Sequence, residues 1–250
     1  MDVLQSLFRW IHVVAGVMWI GHLYFFNFVN SQVAPTYDAD SKKKVVPELM
    51  PRALYWFRWG AAYTWVTGVL LLLLVYYHGA IVFEYGQTWN AIGIIMIALV
   101  FVAPLIYDAL YKTALKDPTA GFVAGVVLSV VYVFAAADLA GFTFRSAAIH
   151  LGGMFGTIMA FNVWFRIWPA QQQIIRATKE GTAPDKDLVG IAGLRSRHNT
   201  YMSVPLIFTM VAQHATWAAD FPTVSLGLVV LVGWGAVYWL YGKSAQVKGF

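Results

Sequence analysis

Long apolar runs dominate this sequence and limit the kinds of fold open to it. The runs Gly68 to Tyr77, Ile92 to Ile106 and Val224 to Leu240 extend into apolar stretches of roughly 20 residues, the length that a helix needs to cross about 30 Å of hydrocarbon. Only 12% of the residues are charged, about half the share found in soluble globular domains. The chain is therefore predicted to be an integral membrane protein.

Hydropathy and helix breakers divide the chain into seven predicted transmembrane helices. The predicted spans lie near residues 5–30, 54–78, 89–111, 119–138, 145–168, 199–217 and 223–242. No internal repeat or linker separates a second part, so the sequence predicts one domain over residues 1–250, an all-α bundle of about seven transmembrane helices. The segments 31–53 and 169–198 are predicted to be its two sizeable loops.

Basic residues are sorted between the two ends of these spans. If the N-terminus lies outside and the C-terminus inside, all but Arg9 and Arg145 of the 17 lysines and arginines lie on the inner side. Positive charge close to the cytoplasmic ends of spans sets the orientation of membrane proteins. The net charge of +5 is therefore interpreted as a topology signal. We expect membrane lipid around the chain and no nucleic-acid partner.

The sequence contains no cysteine. This excludes disulfides, thiolate metal sites, iron–sulfur clusters and a covalently attached c-type haem, which needs a Cys-x-x-Cys-His motif. A metal or cofactor would have to rely on histidine, methionine, carboxylates or tyrosine.

Five of the six histidines lie in or at the mouth of predicted spans, where an ionisable side chain is costly unless it is paired or functional. In the predicted topology His12, His150 and His214 lie near the outer surface, and His22 and His198 lie toward the inner surface. Neutral imidazoles from different helices suit axial ligation of haem iron, or binding of copper or another transition metal. We expect one or two noncovalent haem b groups, with a histidine-bound transition metal as the alternative.

Helical spacing bears on how these histidines could pair. His12 and His22 differ by about 15 Å along a helix axis and roughly 80° in phase, which is compatible with two stacked sites. His198 and His214 differ by about 24 Å and roughly 160°, so a straight helix would direct them to opposite faces unless Pro205 kinks it or His198 precedes its first regular turn. His78 ends the second span and is expected to be an ordinary interfacial residue.

A haem would also need close contact with helix backbone and partners for its propionates. Glycines such as Gly16, Gly21 and Gly152 lie beside the histidines. Arginines at the two rims are the candidates for the propionates: Arg9 and Arg145 outside, and Arg58, Arg166 and Arg197 inside.

Four motifs resemble a known family. They are Trp10-Ile11-His12 to Trp19-Ile20-Gly21-His22, Trp56-Phe57-Arg58-Trp59-Gly60, Asn162-Val163-Trp164-Phe165-Arg166-Ile167-Trp168-Pro169, and Arg195-Ser196-Arg197-His198-Asn199-Thr200-Tyr201-Met202-Ser203-Val204-Pro205 continuing to Gln213-His214. Together they resemble the N-terminal membrane domain of PuuD-type bacterial urate hydroxylases, from the first helix through the sixth.

The resemblance implies an oxidoreductase of the bacterial inner membrane. In that family a multi-span membrane domain is joined to a C-terminal cytochrome c domain, and the whole protein is associated with oxidation of urate to 5-hydroxyisourate. The present sequence has no cysteine for a c-type haem. The resemblance therefore implies either a separate cytochrome as electron acceptor or another redox task.

Three functions are compatible with the sequence, and none of them has an assigned catalytic residue. The first is a membrane-bound b-type cytochrome that carries electrons between an outer-side partner or substrate and quinone, a cytochrome c or other membrane redox subunits. The second is a urate or purine hydroxylase that passes electrons to a separate cytochrome c. The third is a transporter or structural subunit whose histidines only connect helices. The sequence does not determine the oligomeric state, and a homo-oligomer is compatible with it.

The orientation can be tested on this naturally cysteine-free chain. A cysteine introduced at Lys43 should resist a membrane-impermeant thiol reagent in intact cells and react once the membrane is permeabilised, because the positive charges place this segment inside. A cysteine at Arg9, on the outer side, is the matched control and should react in intact cells. Labelling of the Lys43→Cys variant in intact cells would contradict the orientation.

Overall fold

The computed structural model describes residues 2–249, without the side chain of Thr216, and 85% of the chain is helical. Over these residues there are nine α-helices, named in chain order: α1 Asp2–Tyr24, α2 Ser31–Val33, α3 Ala39–Leu71, α4 Ala91–Thr113, α5 Pro118–Phe134, α6 Phe144–Asn162, α7 Trp168–Glu180, α8 Lys186–Val211 and α9 Pro222–Ser244.

The predicted fold class, an all-α membrane bundle, is confirmed. Within the described residues, six helical stretches are long and apolar enough to cross a membrane: Asp2–Thr36, Ala39–Tyr77, Ala91–Thr113, Pro118–Leu139, Phe144–Glu180 and Pro222–Ser244. They overlap six of the seven predicted spans. The remaining span, 199–217, belongs largely to α8, whose N-terminal half carries Lys186, Arg195 and Arg197.

Four of the helices continue directly into π-helical segments. These segments follow α1, α3, α5 and α6, at Phe25–Asn30, Leu72–Tyr77, Ala135–Leu139 and Val163–Ile167. A π-turn contains one residue more than an α-turn, so it rotates the side chains that follow, and such turns are frequent at functional sites. Asn27, Tyr77 and Arg166 all lie on these segments.

The prediction of two sizeable loops is wrong, because both segments are largely helical. α3 begins at Ala39, where the Asp38 carboxylate accepts a hydrogen bond of 2.7 Å from the Ser41 backbone N–H. α7 ends at Glu180 and is capped by Gly181, which has a left-handed φ of 75°. Local caps of these two kinds determine where a helix begins and ends. A hydropathy pattern shows only how long the apolar part of the helix is.

α8 begins well before the predicted sixth span. The Asp185 carboxylate accepts hydrogen bonds from the backbone N–H groups of Asp187, at 2.7 Å, and Leu188, at 3.3 Å, and so caps the first turn. His198 therefore lies inside a continuous helix, and the expectation that it precedes the first regular turn is wrong. Pro205 lies farther along the same helix.

The described part of the chain divides into two compact units. Unit 1 contains residues 2–68, 159–201 and 236–249, and unit 2 contains Val69–Ile158 and Met202–Gly235. The helices α3, α6, α8 and α9 each contribute residues to both.

In unit 1, α1 and α3 pack closely at Gly60. A Cβ added there would lie 3.1 Å from the backbone nitrogen of Trp19 and 3.2 Å from the carbonyl oxygen of Ala15. Trp19 itself is 2% exposed. The small residue thus permits the backbone approach that membrane helices use in place of a hydrophobic driving force.

In unit 2, the loops after the π-helical segments 72–77 and 135–139 pair with each other. The backbone N–H of Thr143 donates to the carbonyl of Val82, and that of Glu84 donates to the carbonyl of Gly141, both at 2.9 Å. Phe142, 2% exposed, forms the core of this pairing. It leads directly into α6, which carries His150.

The α1–α3 packing gives a stability prediction. Gly60→Ala should lower the free energy of unfolding by about 1–3 kcal/mol, because the new methyl group meets backbone that cannot move aside. Gly235→Ala on α9 is the control, since a Cβ there meets nothing within 4 Å. Thermal unfolding in detergent, followed by tryptophan fluorescence, should show a lower midpoint for Gly60→Ala only. Equal midpoints for the two variants would contradict the packing.

Candidate functional site

The candidate histidines are divided between the two units. His12, His22 and His198 belong to unit 1, and His150 and His214 belong to unit 2. Among the described residues, no group of three or more His, Asp or Glu side chains is arranged to hold a metal ion. The chemistry of each histidine therefore depends on the partners of its own ring.

His12 is held through one of its two ring nitrogens. Its Nδ1 lies 3.1 Å from the Thr67 hydroxyl oxygen, and that hydroxyl donates its own proton to the Tyr63 carbonyl at 2.6 Å. The Thr67 oxygen must then accept, which assigns the proton of His12 to Nδ1 and leaves the Nε2 lone pair available to a ligand. Gly68 makes room for the ring, because a Cβ there would lie 3.1 Å from Cε1 of His12.

His22 has the same arrangement at the other end of α1. Its Nδ1 lies 2.7 Å from the carbonyl oxygen of Met18. A carbonyl only accepts, so Nδ1 carries the proton and Nε2 has a lone pair. An Nδ1–H bonded to a backbone carbonyl is the usual support for a histidine that binds metal through Nε2.

His150 is completely buried, and both of its ring nitrogens are engaged. Nδ1 donates to the Ser146 carbonyl at 2.7 Å, and Nε2 accepts a hydrogen bond of 3.0 Å from the Tyr77 hydroxyl. The rings of Tyr76 and Phe142 pack around it, with centroids 6.1 and 5.2 Å away. Ligation of iron by His150 would require Tyr77 to turn away.

The other three histidines lie in less enclosed positions. His198 is half-buried on α8, three residues after Arg195. His214 is exposed on the 3₁₀ turn Ala212–His214 that follows α8. His78 is exposed at the C-cap of the π-helical segment 72–77, as expected for an interfacial residue.

Among the candidate arginines, Arg58 has the most distinctive surroundings. Its guanidinium carbon lies 3.8 Å from the centroid of the Trp168 ring, so the group stacks as a cation on an aromatic face. Its Nε is buried and has no hydrogen-bond partner among the described residues. An anionic group would satisfy this donor.

The remaining arginines have different partners or exposure. Arg166 donates to the Phe165 carbonyl at 3.0 Å and lies near the Phe161 ring. Arg197 is exposed and lies over the Tyr241 ring. Arg9 and Arg145 are both exposed.

Trp19 provides a second buried donor in unit 1. Its indole Nε1 is buried and has no hydrogen-bond partner among the described residues. Trp19 lies on α1 between His12 and His22. Buried polar groups in proteins are nearly always bonded, so an acceptor from outside the described side chains would satisfy this N–H.

Three of the motifs that carry the family resemblance contact one another in unit 1, the last of them through its residues up to Tyr201. The Trp164 indole donates to the Arg58 carbonyl at 3.1 Å. The side chain of Asn162 donates to that of Asn199 at 2.9 Å, and Asn199 donates to the Met159 carbonyl at 3.0 Å. Both asparagines are completely buried. These sequence-distant motifs therefore form one packed structure.

Asn27 joins three elements, and its sequence position alone did not mark it as a site residue. Its amide nitrogen donates to the Leu23 carbonyl at 2.9 Å and to the Ser196 hydroxyl at 2.8 Å. Its carbonyl oxygen accepts from the Tyr241 hydroxyl at 2.9 Å. The available signal was a polar amide inside an apolar predicted span, where it needs partners from other helices.

The fold and these side chains define a class: a multi-pass membrane protein with buried or half-buried histidines on its helices and with buried N–H donors, at Trp19 and Arg58, that have no partner among the described residues. The family model described as urate oxidase N-terminal matches residues 36–248. The chain therefore belongs to the urate oxidase N-terminal family, which confirms the resemblance. The matched region begins after α1, so His12 and His22 lie outside it, and it continues through α9. Comparison with curated proteins and with solved structures finds no match.

Proposed function

We propose that this chain is a membrane-bound redox protein of the bacterial inner membrane, in which intramembrane histidines hold one or two noncovalent haem b groups. The observation that carries the proposal is the shared arrangement of His12 and His22. Each ring is fixed through Nδ1, at 3.1 Å and 2.7 Å from its acceptor, so each presents Nε2 with a lone pair.

The donor set suits haem better than a bare metal ion. A porphyrin already supplies four nitrogens, so iron needs only one or two protein ligands, whereas protein-bound zinc and copper sites generally take three or four. The described residues contain no group of three possible ligands. His12 and His22 are single histidines at separate positions along α1. Each could supply one of the one or two protein ligands that haem iron needs. Copper or another transition metal is the less supported alternative.

Other side chains of unit 1 suit the anionic edge of a haem. The buried Nε of Arg58 and the buried indole N–H of Trp19 each lack an acceptor among the described residues. A propionate would accept from such donors with charge-assisted hydrogen bonds. Arg166, Arg197, Arg9 and Arg145 remain further candidates for this role.

A bound haem b would supply one-electron redox chemistry to the site. The chain itself would set the position and the surroundings of that group. Thr67 and the Met18 carbonyl fix the orientations of His12 and His22. The buried ring of Trp19 lies between them on the same helix.

The outer histidines of unit 2 fit the proposal in different ways. His150 is enclosed, but Tyr77 already donates to its Nε2, so it suits either a ligand exposed by movement of Tyr77 or a proton path through the Tyr77 hydroxyl. His214 is exposed at the end of α8 and is open to a substrate or a partner. His198, on α8 in unit 1, remains a candidate ligand for an inner centre, as His22 does.

The family match makes urate, or a similar purine, the favoured electron donor. Hydroxylation of urate to 5-hydroxyisourate takes one oxygen from water and releases two electrons and two protons. These 250 residues contain no cysteine for a c-type haem, and the electrons would pass to quinone or to a cytochrome c. Reduction of the purified protein by added urate, absent with allantoin, would support this donor.

The proposal predicts which histidines retain haem. In single alanine variants of all six histidines, His12→Ala and His22→Ala should lower the haem-to-protein ratio, because iron loses a coordinate bond in an apolar cavity. If two groups are bound, each change should remove about half of the haem, and if there is one, only the change at its own ligand should remove nearly all of it. His78→Ala, at an exposed helix end, is the control and should retain wild-type haem.

Haem is measured as the pyridine haemochrome, after equal membrane insertion has been verified by immunoblot. Unchanged haem in the His12, His150 and His214 variants would contradict an outer centre. Unchanged haem in the His22 and His198 variants would contradict an inner one.

A further inference from the structure

Unit 1 contains a cavity of about 390 Å³, a volume within the range of small-molecule sites. Its wall is fixed by Asn27, which is 9% exposed and bonds to Leu23, Ser196 and Tyr241. Since Asn27 uses its amide nitrogen and its carbonyl oxygen in these bonds, it acts as a support. Other side chains of the wall are therefore the ones that can face a ligand.

We propose that this cavity binds a flat, anionic oxopurine of the urate class. The substrate class rests on the proposed function, whereas the choice of the cavity rests on its own charge, hydrogen-bonding groups and shape.

The charge of the cavity favours an anion. Arg197 is the only charged side chain among the described residues that line it, so no lining carboxylate opposes an anion there. The guanidinium also lies 5.7 Å from the centroid of the Tyr241 ring. This contact restricts the side chain, and its planar fork can donate two parallel hydrogen bonds to an anionic heterocycle.

Amide side chains provide the pattern of donors and acceptors that an oxopurine needs. Gln171 lines the cavity and makes no side-chain hydrogen bond with the described residues, so both its amide nitrogen and its carbonyl oxygen are available. The Asn30 side chain donates to the Met50 sulfur at 3.9 Å and makes no other hydrogen bond with the described residues. The Ser196 hydroxyl accepts from Asn27, which leaves its proton to donate. These groups can match alternating N–H and C=O groups on a ring edge.

Aromatic rings give the cavity an apolar face. Phe26 and Phe57 both line it, and their centroids are 5.4 Å apart in an edge-to-face arrangement. A flat ring can pack on such a surface with little loss of conformational entropy. A puckered or flexible anion of similar charge would use this face less well.

The cavity also lies beside a proposed haem ligand. The Phe26 ring, which lines the cavity, has its centroid 6.3 Å from that of the His22 ring. One aromatic side chain therefore connects the wall of the cavity to the inner candidate site, which places a bound purine next to a redox centre.

The test is equilibrium dialysis of the detergent-purified full chain against radiolabelled urate. We expect saturable binding that xanthine displaces and that allantoin and inorganic phosphate do not, because xanthine is a flat oxopurine whereas allantoin is not flat and phosphate lacks ring edges. Absence of saturable binding would overturn the proposal. So would displacement by phosphate as effective as that by xanthine, since the site would then recognise only charge.

Matched variants locate the site. Gln171→Glu keeps the size of the side chain but loses a donor and adds negative charge, so it should weaken urate binding by about tenfold or more. Gln172→Glu, an exposed neighbour on α7 that does not line the cavity, makes the same chemical change and should not. Arg197→Gln should also weaken binding, whereas Arg176→Gln on the exposed face of α7 should not. Equal binding by the Gln171 and Gln172 variants would overturn the assignment.

Haem content, measured on the same samples, separates this inference from the proposed function. It is compared in the Gln171 variant, because Arg197 is also a candidate propionate partner. Urate binding that depends on Gln171 in protein without haem would support the cavity and contradict the haem proposal. Normal haem content together with urate binding that does not depend on Gln171 would contradict the cavity and support the haem proposal.

Discussion

A polar side chain that a membrane helix carries inward must find its hydrogen-bond partner within the protein, because hydrocarbon offers none. Asn162 and Asn199 are both completely buried and bond to each other at 2.9 Å. Asn27 has three partners in other turns and helices. These bonds join segments that are far apart in sequence, and so they fix the positions of the motifs of unit 1.

The same requirement explains the orientation of the histidines. A ring N–H inside an apolar bundle must find an acceptor within the protein. For His22 that acceptor is the carbonyl of Met18, and for His12 it is the Thr67 hydroxyl, whose proton is directed to another carbonyl. In both cases the bond leaves Nε2 free to act as a ligand. Local hydrogen bonding thus fixes the orientation of both rings and presents Nε2 in each.

Much of the fold could be predicted from the sequence, because span length and apolarity follow directly from the thickness of the bilayer. The limits of α3 and α8 could not, since they depend on single caps at Asp38 and Asp185 and on polar helical turns outside the hydrocarbon. The sequence positions also showed which histidines fall within the predicted spans. Their partners were not, because the Tyr77–His150 bond connects residues far apart in the chain.

The cavity illustrates the same limit. Three consecutive glutamines at positions 171–173 are equivalent in sequence, but only Gln171 lines the cavity. The phase of α7 and its packing decide which amide faces inward, and neither can be read from composition. The family match adds a relationship that composition alone does not supply.

The most direct measurement is the absorption spectrum of the purified wild-type protein, oxidised and dithionite-reduced, after expression with adequate haem supply. The account predicts the spectrum of a b-type cytochrome and a haem that acidified organic solvent extracts, because the chain has no cysteine to hold it covalently. A colourless protein, correctly inserted and folded, would contradict the account.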